Sequence, residues 1–442
     1  LLEIEAPKQI SGIVIPTLFD APMYDQSRIE ETDGLVEALG VELGFTECLR
    51  VRKPNAAKLL GEGQLSRIGD LLDDCKGNLI VIDCLLTPIQ QRNLERTLNV
   101  KVMDRTGLIL EIFGVRARSA EGRLQVEMAR QLYERSRLVR TWTHLERQRG
   151  GTGFLAGPGE SQLEADRRML DGRIAKLKTD LEAVRRTRRL QRAGRKRRGA
   201  PIVALAGYTN AGKSTLFNTL TNSTVFAADM PFATLDPTAR DIELKSGKKI
   251  SMIDTVGFIT DLPTHLIESF RATIEEAIEA DLLLHVRDIS HPETERQATD
   301  VDDVLSQLEK DTKTERPPVI EVWNKADALD EDMLAIFKAS SENREDIILT
   351  SAIDGEGLED LLTLIQETLF SSTREFEIKL EPRFGKARSW LHQHSNVIGE
   401  TVDELGNVIL RVSLSERELN QFVHEHHELD IDDVILSSKK TN

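Results

Sequence analysis

The sequence predicts an α/β protein. A P-loop nucleotide-binding domain is preceded by a small α/β domain that carries a long antiparallel helical hairpin, and is followed by a small α/β carboxy-terminal domain. Three observations point there. The apolar run Ile202-Val-Ala-Leu-Ala206 ends in Gly207-Tyr-Thr-Asn-Ala-Gly212-Lys213-Ser214, a strand turning through glycines into a helix. Three more apolar stretches further on each end in a short polar motif, as the ligand loops of a parallel sheet do. Between residues 116 and 196 the texture changes to long charged helices with apolar stripes, broken once by a glycine-rich segment. The boundaries read as 1–115, 116–196, 200–370 and 375–442, in keeping with about three compact units at ~150 residues each for 442 residues.

In the first unit, strand candidates Gly12-Ile-Val-Ile15, Leu79-Ile-Val-Ile82 and Val100-Lys-Val-Met103 alternate with helical stretches, Glu31 to Leu39 and Gln64 to Asp74. That alternation means a mostly parallel sheet. Gly61-Glu-Gly63 leads into a helix but lacks the lysine and serine of a P-loop, and nothing beside it identifies adenine.

In the second helix of the hairpin Leu163, Leu170, Ile174, Leu177, Leu181 and Val184 form an a/d stripe; the first offers Leu124, Met128, Leu132, Leu138, Trp142 and Leu145. The break, residues 150–159, holds five glycines and one proline and belongs at the hairpin tip. Phe154 in that tip suits stacking on a base, with Arg147, Arg149, Arg167 and Arg168 flanking it to meet phosphates. The competing reading is a flexible helix connection. Charge favours RNA: residues 101–200 carry 25 Lys and Arg against 12 Asp and Glu, a local +13 within a chain of net −16. Arg185 to Arg198 alone has nine cations in fourteen residues.

The chemistry is concentrated in the third unit. Gly207, Tyr208, Thr209, Asn210, Ala211 and Gly212 aim backbone N–H groups and a helix dipole at one point, where polyphosphate fits. Lys213 adds a full charge over the β- and γ-phosphates, Ser214 supplies a Mg²⁺ ligand, and Thr215 completes the nucleotide-binding set. Asp254-Thr255-Val256-Gly257 follows Ile250-Ser-Met-Ile253; Asn324-Lys325-Ala-Asp327 follows Val319-Ile-Glu-Val-Trp323; Thr350-Ser351-Ala352 follows Ile347-Ile-Leu349. An aspartate at 327 can accept from both N1–H and the 2-amino group of guanine, and adenine offers neither. Leaving such a group unpaired costs roughly 10⁴-fold in affinity, so GTP and GDP are expected over ATP.

These motifs, with Phe232-Ala-Thr-Leu-Asp-Pro-Thr238, Asp254-Thr-Val-Gly-Phe-Ile259, Gln90-Gln-Arg-Asn-Leu94, Asp104-Arg-Thr-Gly-Leu-Ile-Leu110 and Gly157-Pro-Gly-Glu-Ser-Gln-Leu-Glu164, resemble the HflX family of ribosome-associated GTPases. Residues 200–370 look like a translation-factor-type P-loop GTPase domain. The resemblance implies a partner, the ribosome, gripped at its large subunit with the hairpin loop toward RNA near the peptidyl-transferase region. It also implies that the GTP state splits or rescues stalled ribosomes, and it raises ATP binding in the first domain. The alternatives are an RNA-remodelling or ribosome-assembly factor with the GTP cycle as a timer.

Phe258 stands where many GTPases place a water-orienting glutamine. Slow intrinsic hydrolysis is therefore expected, with Phe258 swinging aside and ribosomal RNA completing the site around Lys213, Thr234, Gly257 and Phe258. By resemblance, Thr234 is the residue that senses the γ-phosphate through Mg²⁺, with Thr238 in competition for that role. Asn210 either helps bind K⁺ near the phosphates or only shapes the turn. The rest is bland. No 18-residue apolar run or leader pattern occurs, and three cysteines without metal-ligand spacing suit a reducing compartment, so a cytoplasmic monomer is expected. Histidines 392, 394, 424, 426 and 427 lack the carboxylates and thiols of a metal site.

Overall fold

The computed structural model describes residues 9–19, 26–148, 158–196, 200–223, 228, 230–260, 264–312, 314, 316–341, 344–370, 373–403, 405–415, 419, 422–423, 425–426, 429 and 434–440. The amino-terminal sheet comprises β1 (Ile10–Leu18), β2 (Glu42–Val51), β3 (Leu79–Ile82) and β4 (Lys101–Asp104), all parallel in the order β2-β1-β3-β4. Helices α1 (Gln26–Ala38), α2 (Glu62–Cys75), α3 (Pro88–Leu98) and α4 (Arg105–Arg116) connect and follow these strands. β1 and β3 are buried throughout their middles, so they read as continuous apolar runs. β2 was not legible as a strand because it is an edge, its exposed positions occupied by Glu42, Gly44 and Arg50.

α4 starts without a connecting loop. Asp104 ends β4 and accepts the Gly107 N–H at 2.8 Å, capping the helix that begins at the next residue. Four residues after α4 the hairpin begins: α5 (Ala120–Gln148) and α6 (Pro158–Lys196). Met128, Leu132, Ile174 and Leu181 bury their side chains between them. Pro158 and Gly159, assigned by sequence to the break, open α6 instead, where proline costs no helical hydrogen bond. Residues 149–157, with Phe154, and the side chains of Arg147, Trp142 and Leu145 lie outside what the structure describes.

The central sheet has six strands in the order β10-β9-β8-β5-β7-β6, formed by β5 (Ile202–Gly207), β6 (Thr238–Glu243), β7 (Lys249–Asp254), β8 (Leu282–Asp288), β9 (Val319–Asn324) and β10 (Ile347–Leu349). Only β6 runs antiparallel to its neighbour. Helices α7 (Lys213–Thr221), α8 (Thr264–Ile278), α9 (Thr294–Thr312), α10 (Glu331–Ser341) and α11 (Leu358–Phe370) pack around it. Thus the loops after β5, β7, β9 and β10 open at one end of the sheet. A single apolar cluster runs from this domain into the amino-terminal one: Phe113 of α4 meets Phe232 and Phe270 edge-on, each at 4.7 Å.

The carboxy-terminal unit is an antiparallel sheet, β12-β13-β11-β14, of β11 (Thr373–Leu380), β12 (Asn396–Val402), β13 (Val408–Ser415) and β14 (Ile435–Lys440), covered by α12 (Gly385–His394). His392 pairs with Glu400 at 2.9 Å, and His426 packs on Phe422. Among the described residues no cluster of three metal-ligating side chains occurs, and no helix is long and apolar enough to cross a membrane.

Candidate nucleotide site

β5 delivers Gly207 into a turn, Tyr208 to Gly212, and α7 carries Lys213 away from it. Gly212 adopts φ +89°, and a Cβ there would lie 2.2 Å from the Asn324 amide nitrogen. Only glycine fits both the conformation and the space. The Lys213 ammonium is buried and donates to the Tyr208 carbonyl at 2.6 Å. Burial pushes its pKa down to about 8, with Asp254 pulling the other way.

Three oxygens converge beside the lysine. Ser214 Oγ donates to Asp254 Oδ2 at 2.7 Å and stands 2.7 Å from Thr234 Oγ1. Asp254 Oδ1 is buried with no hydrogen-bond partner among the described residues. Burial raises the Asp254 pKa, while the Ser214 hydrogen bond and Lys213 lower it. Two hydroxyls and a carboxylate with acceptor capacity in reserve suit a hard divalent cation such as Mg²⁺. Thr238 is elsewhere. It opens β6, paired in register with Asp254.

The segment after β7 is fastened to the P-loop. Thr209 N–H donates to the Phe258 carbonyl at 2.7 Å, and Phe258 N–H donates to the Gly207 carbonyl at 3.1 Å. Gly257 lies so close that a Cβ would be 2.9 Å from Thr209 Cα and 3.0 Å from Lys213 Nζ. A cavity of about 50 Å³ between the P-loop and residues 228–234 is lined by Lys213, Ser214, Thr215, Thr234, Thr255 and Gly257. Phe258 does not line it. Its ring, 4% exposed, packs in the interdomain apolar cluster that also holds Val256. Thr255 donates to the Leu205 carbonyl at 2.6 Å and so braces the strand end.

The later motifs meet the same loop through Asn324. Asn324 donates to the Ala211 carbonyl at 2.9 Å and accepts from Ala352 N–H at 3.1 Å, tying the P-loop to both later motifs. Lys325, in the left-handed region at φ 64°, pairs with Asp288 at 2.8 Å. Asp327 is exposed in a single 3₁₀ turn, and Ser351 is buried with its N–H on the Glu356 carbonyl. Asp288 ends β8, and no motif around it in the sequence singles out its carboxylate. Asn210, at φ 62°, edges both this pocket and a second of about 240 Å³ beside α1. At Gly61 the helix end is closed by the chain itself: Gln64 Oε1 accepts its N–H at 3.0 Å, and Lys58 pairs with Glu62 at 2.9 Å.

Family models match almost the whole chain: "GTP-binding GTPase N-terminal" over 26–114, "GTP-binding GTPase Middle Region" over 116–195, "50S ribosome-binding GTPase" over 202–325 and "HflX C-terminal domain" over 335–426. GTPase HflX of Magnetococcus marinus is 46% identical over 374 residues, covering 84% of this chain and 85% of that protein. GTPase HflX of Escherichia coli is 40% identical over 390 residues, covering 88% and 90%. A solved GDP complex of the protein called SsGBP is 25% identical, with a TM-score of 0.48 and coverage of 81% and 98%. A P-loop joined by hydrogen bonds to its downstream motifs, with relatives of this identity along most of the sequence, establishes that the chain belongs to the HflX family of GTPases, enzymes that hydrolyse GTP.

Proposed function

We propose that the chain is a guanine-nucleotide switch that docks its basic hairpin on the large ribosomal subunit, against RNA near the peptidyl-transferase region, and in its GTP state splits or rescues stalled ribosomes. One observation carries the reading. Asp236, two residues past Thr234, accepts the Arg118 and Ser119 N–H groups at 3.0 and 2.8 Å and also meets the Ser119 hydroxyl, at the root of α5. A segment that responds to the γ-phosphate is thereby attached to the arm that would hold RNA. Exposed Arg167, Arg168, Arg173 and Lys176 on α6 supply charge for phosphates.

Within this reading Thr234, rather than Thr238, senses the γ-phosphate. Ser214 and Thr234 would ligate Mg²⁺, with Asp254 behind them; the ion would neutralise charge on the phosphates. Lys213 spans the β- and γ-phosphates, the Gly257 N–H meets the γ-phosphate, and Asp327 selects guanine. Phe258 cannot orient water, so the partner completes the site, a contribution of ~10³ to 10⁵ in rate. Asn210 would hold K⁺ beside the phosphates or only shape the turn; equal hydrolysis in K⁺ and Na⁺ would dismiss the ion. The protein acts as a cytoplasmic monomer.

Sedimentation of 70S particles with the protein and a non-hydrolysable GTP analogue tests the whole proposal. Conversion to subunits is expected with the analogue and not with GDP. Particles that stay joined, or binding confined to immature subunits, would refute it.

A further inference from the structure

Away from the phosphates, a buried cluster of four ions joins the amino-terminal sheet to the segment after β7. Arg28 Nε lies 2.7 Å from Asp83 Oδ2, Arg105 lies 2.7 Å from Asp83 Oδ1, and Arg105 also pairs with Glu31. Two cations face two anions, so the set is neutral. Burial works to raise the Asp83 pKa, but Arg105 and Arg28 overrule it and hold the carboxyl below its usual range. The cluster occupies the carboxyl ends of β3 and β4, where open α/β sheets bind their ligands.

Here that crevice receives another part of the same chain. Arg105 donates to the Thr260 carbonyl at 2.9 Å, and Tyr208 of the P-loop accepts the Thr260 N–H at 2.6 Å while its own hydroxyl donates to Glu31. Both peptide groups of Thr260 are therefore held, one by the P-loop and one by the amino-terminal domain. Thr260 stands two residues beyond Phe258. Since phenylalanine offers the reaction no side-chain hydrogen bond, this segment contributes main chain alone, and main-chain placement depends on the anchors at either end.

We propose that Glu31 and Arg105 are positioning residues for GTP hydrolysis, supplied in cis by the amino-terminal domain and acting through Tyr208 and Thr260 to hold Gly257 against the P-loop. GTP hydrolysis suffices for this; ribosome binding is not assumed. GDP, which lacks the γ-phosphate, should be indifferent to it.

The test is ribosome-free turnover by full-length Tyr208→Phe, Glu31→Ala and Glu31→Gln, with KM for GTP, Kd for GDP and melting temperature measured on each. Tyr208→Phe and Glu31→Ala should lower kcat by about fivefold or more while Kd for GDP stays within about twofold, and Glu31→Gln, which keeps an acceptor for the Tyr208 hydroxyl, should recover to within about twofold of native. Tyr208→Phe preserves the ring and its packing, so it decides the matter even if Glu31→Ala is unstable. Unchanged kcat in Tyr208→Phe overturns the proposal, as does a kcat loss matched by an equal loss of GDP affinity.

Discussion

Lys213 shows how burial sets the working range of a phosphate-binding cation. Its ammonium, displaced to about 8 by burial, is charged below that pH and neutral above it. Phosphates require the charged form, so binding above pH 8 must take up a proton, and nucleotide affinity should begin to fall there, toward about tenfold per pH unit. Titration of GDP binding across pH 6 to 10 measures this; a flat profile to pH 10 contradicts it. Gly257 gives a second check. A methyl group at that position meets Thr209 backbone and the Lys213 ammonium, so Gly257→Ala should reduce kcat at least about tenfold with GDP binding largely kept, read from single-turnover hydrolysis and equilibrium titration. The P-loop residues were legible because each does a job tied to its side chain or its lack of one. The contacts of Glu31, Arg105, Asp83 and Asp236 were not, although Arg105 and Asp236 stand inside family motifs, since a charged residue in a helical or loop stretch reads as surface until its partner, far along the chain, is placed beside it.

Among the elements, α4 supplies aromatic contact between the two domains. Phe113, on the amino-terminal side of the seam, is 1% exposed and meets two rings of the nucleotide-binding domain, so Phe113→Ala should cost about 3 to 5 kcal/mol, visible as a lowered thermal midpoint. If that substitution left the melting curve unmoved, the seam would not be a cooperative part of the fold. Strands with uniform apolar runs, β3 and β5, were evident from sequence, as were the hairpin stripes. β2 was hidden by edge-strand polarity and β8 by the absence of a sequence motif at its end. The immediate succession of β4 and α4 was hidden because Asp104 serves as both the last strand residue and the cap. Tyr133 of α5 also donates to Asp104, at 2.7 Å, so the hairpin is braced at a residue adjoining Arg105.

For the molecule as a whole, uneven charge is the organising quantity. Replacing Arg167, Arg168, Arg173 and Lys176 by glutamate should weaken co-sedimentation with large subunits and reduce the steepness of its salt dependence by roughly one unit of log–log slope per lost phosphate contact, while ribosome-free hydrolysis is unaffected. Equal co-sedimentation by the reversed arm would remove the hairpin from the interface. The neutral quartet of Arg28, Glu31, Asp83 and Arg105 behaves oppositely, being shielded from mobile ions by the protein around it. If the arm grips RNA as proposed, raising ionic strength should strip it from that polyanion without unfastening the internal brace, and a brine wash becomes a means of watching the engine idle with its transmission intact.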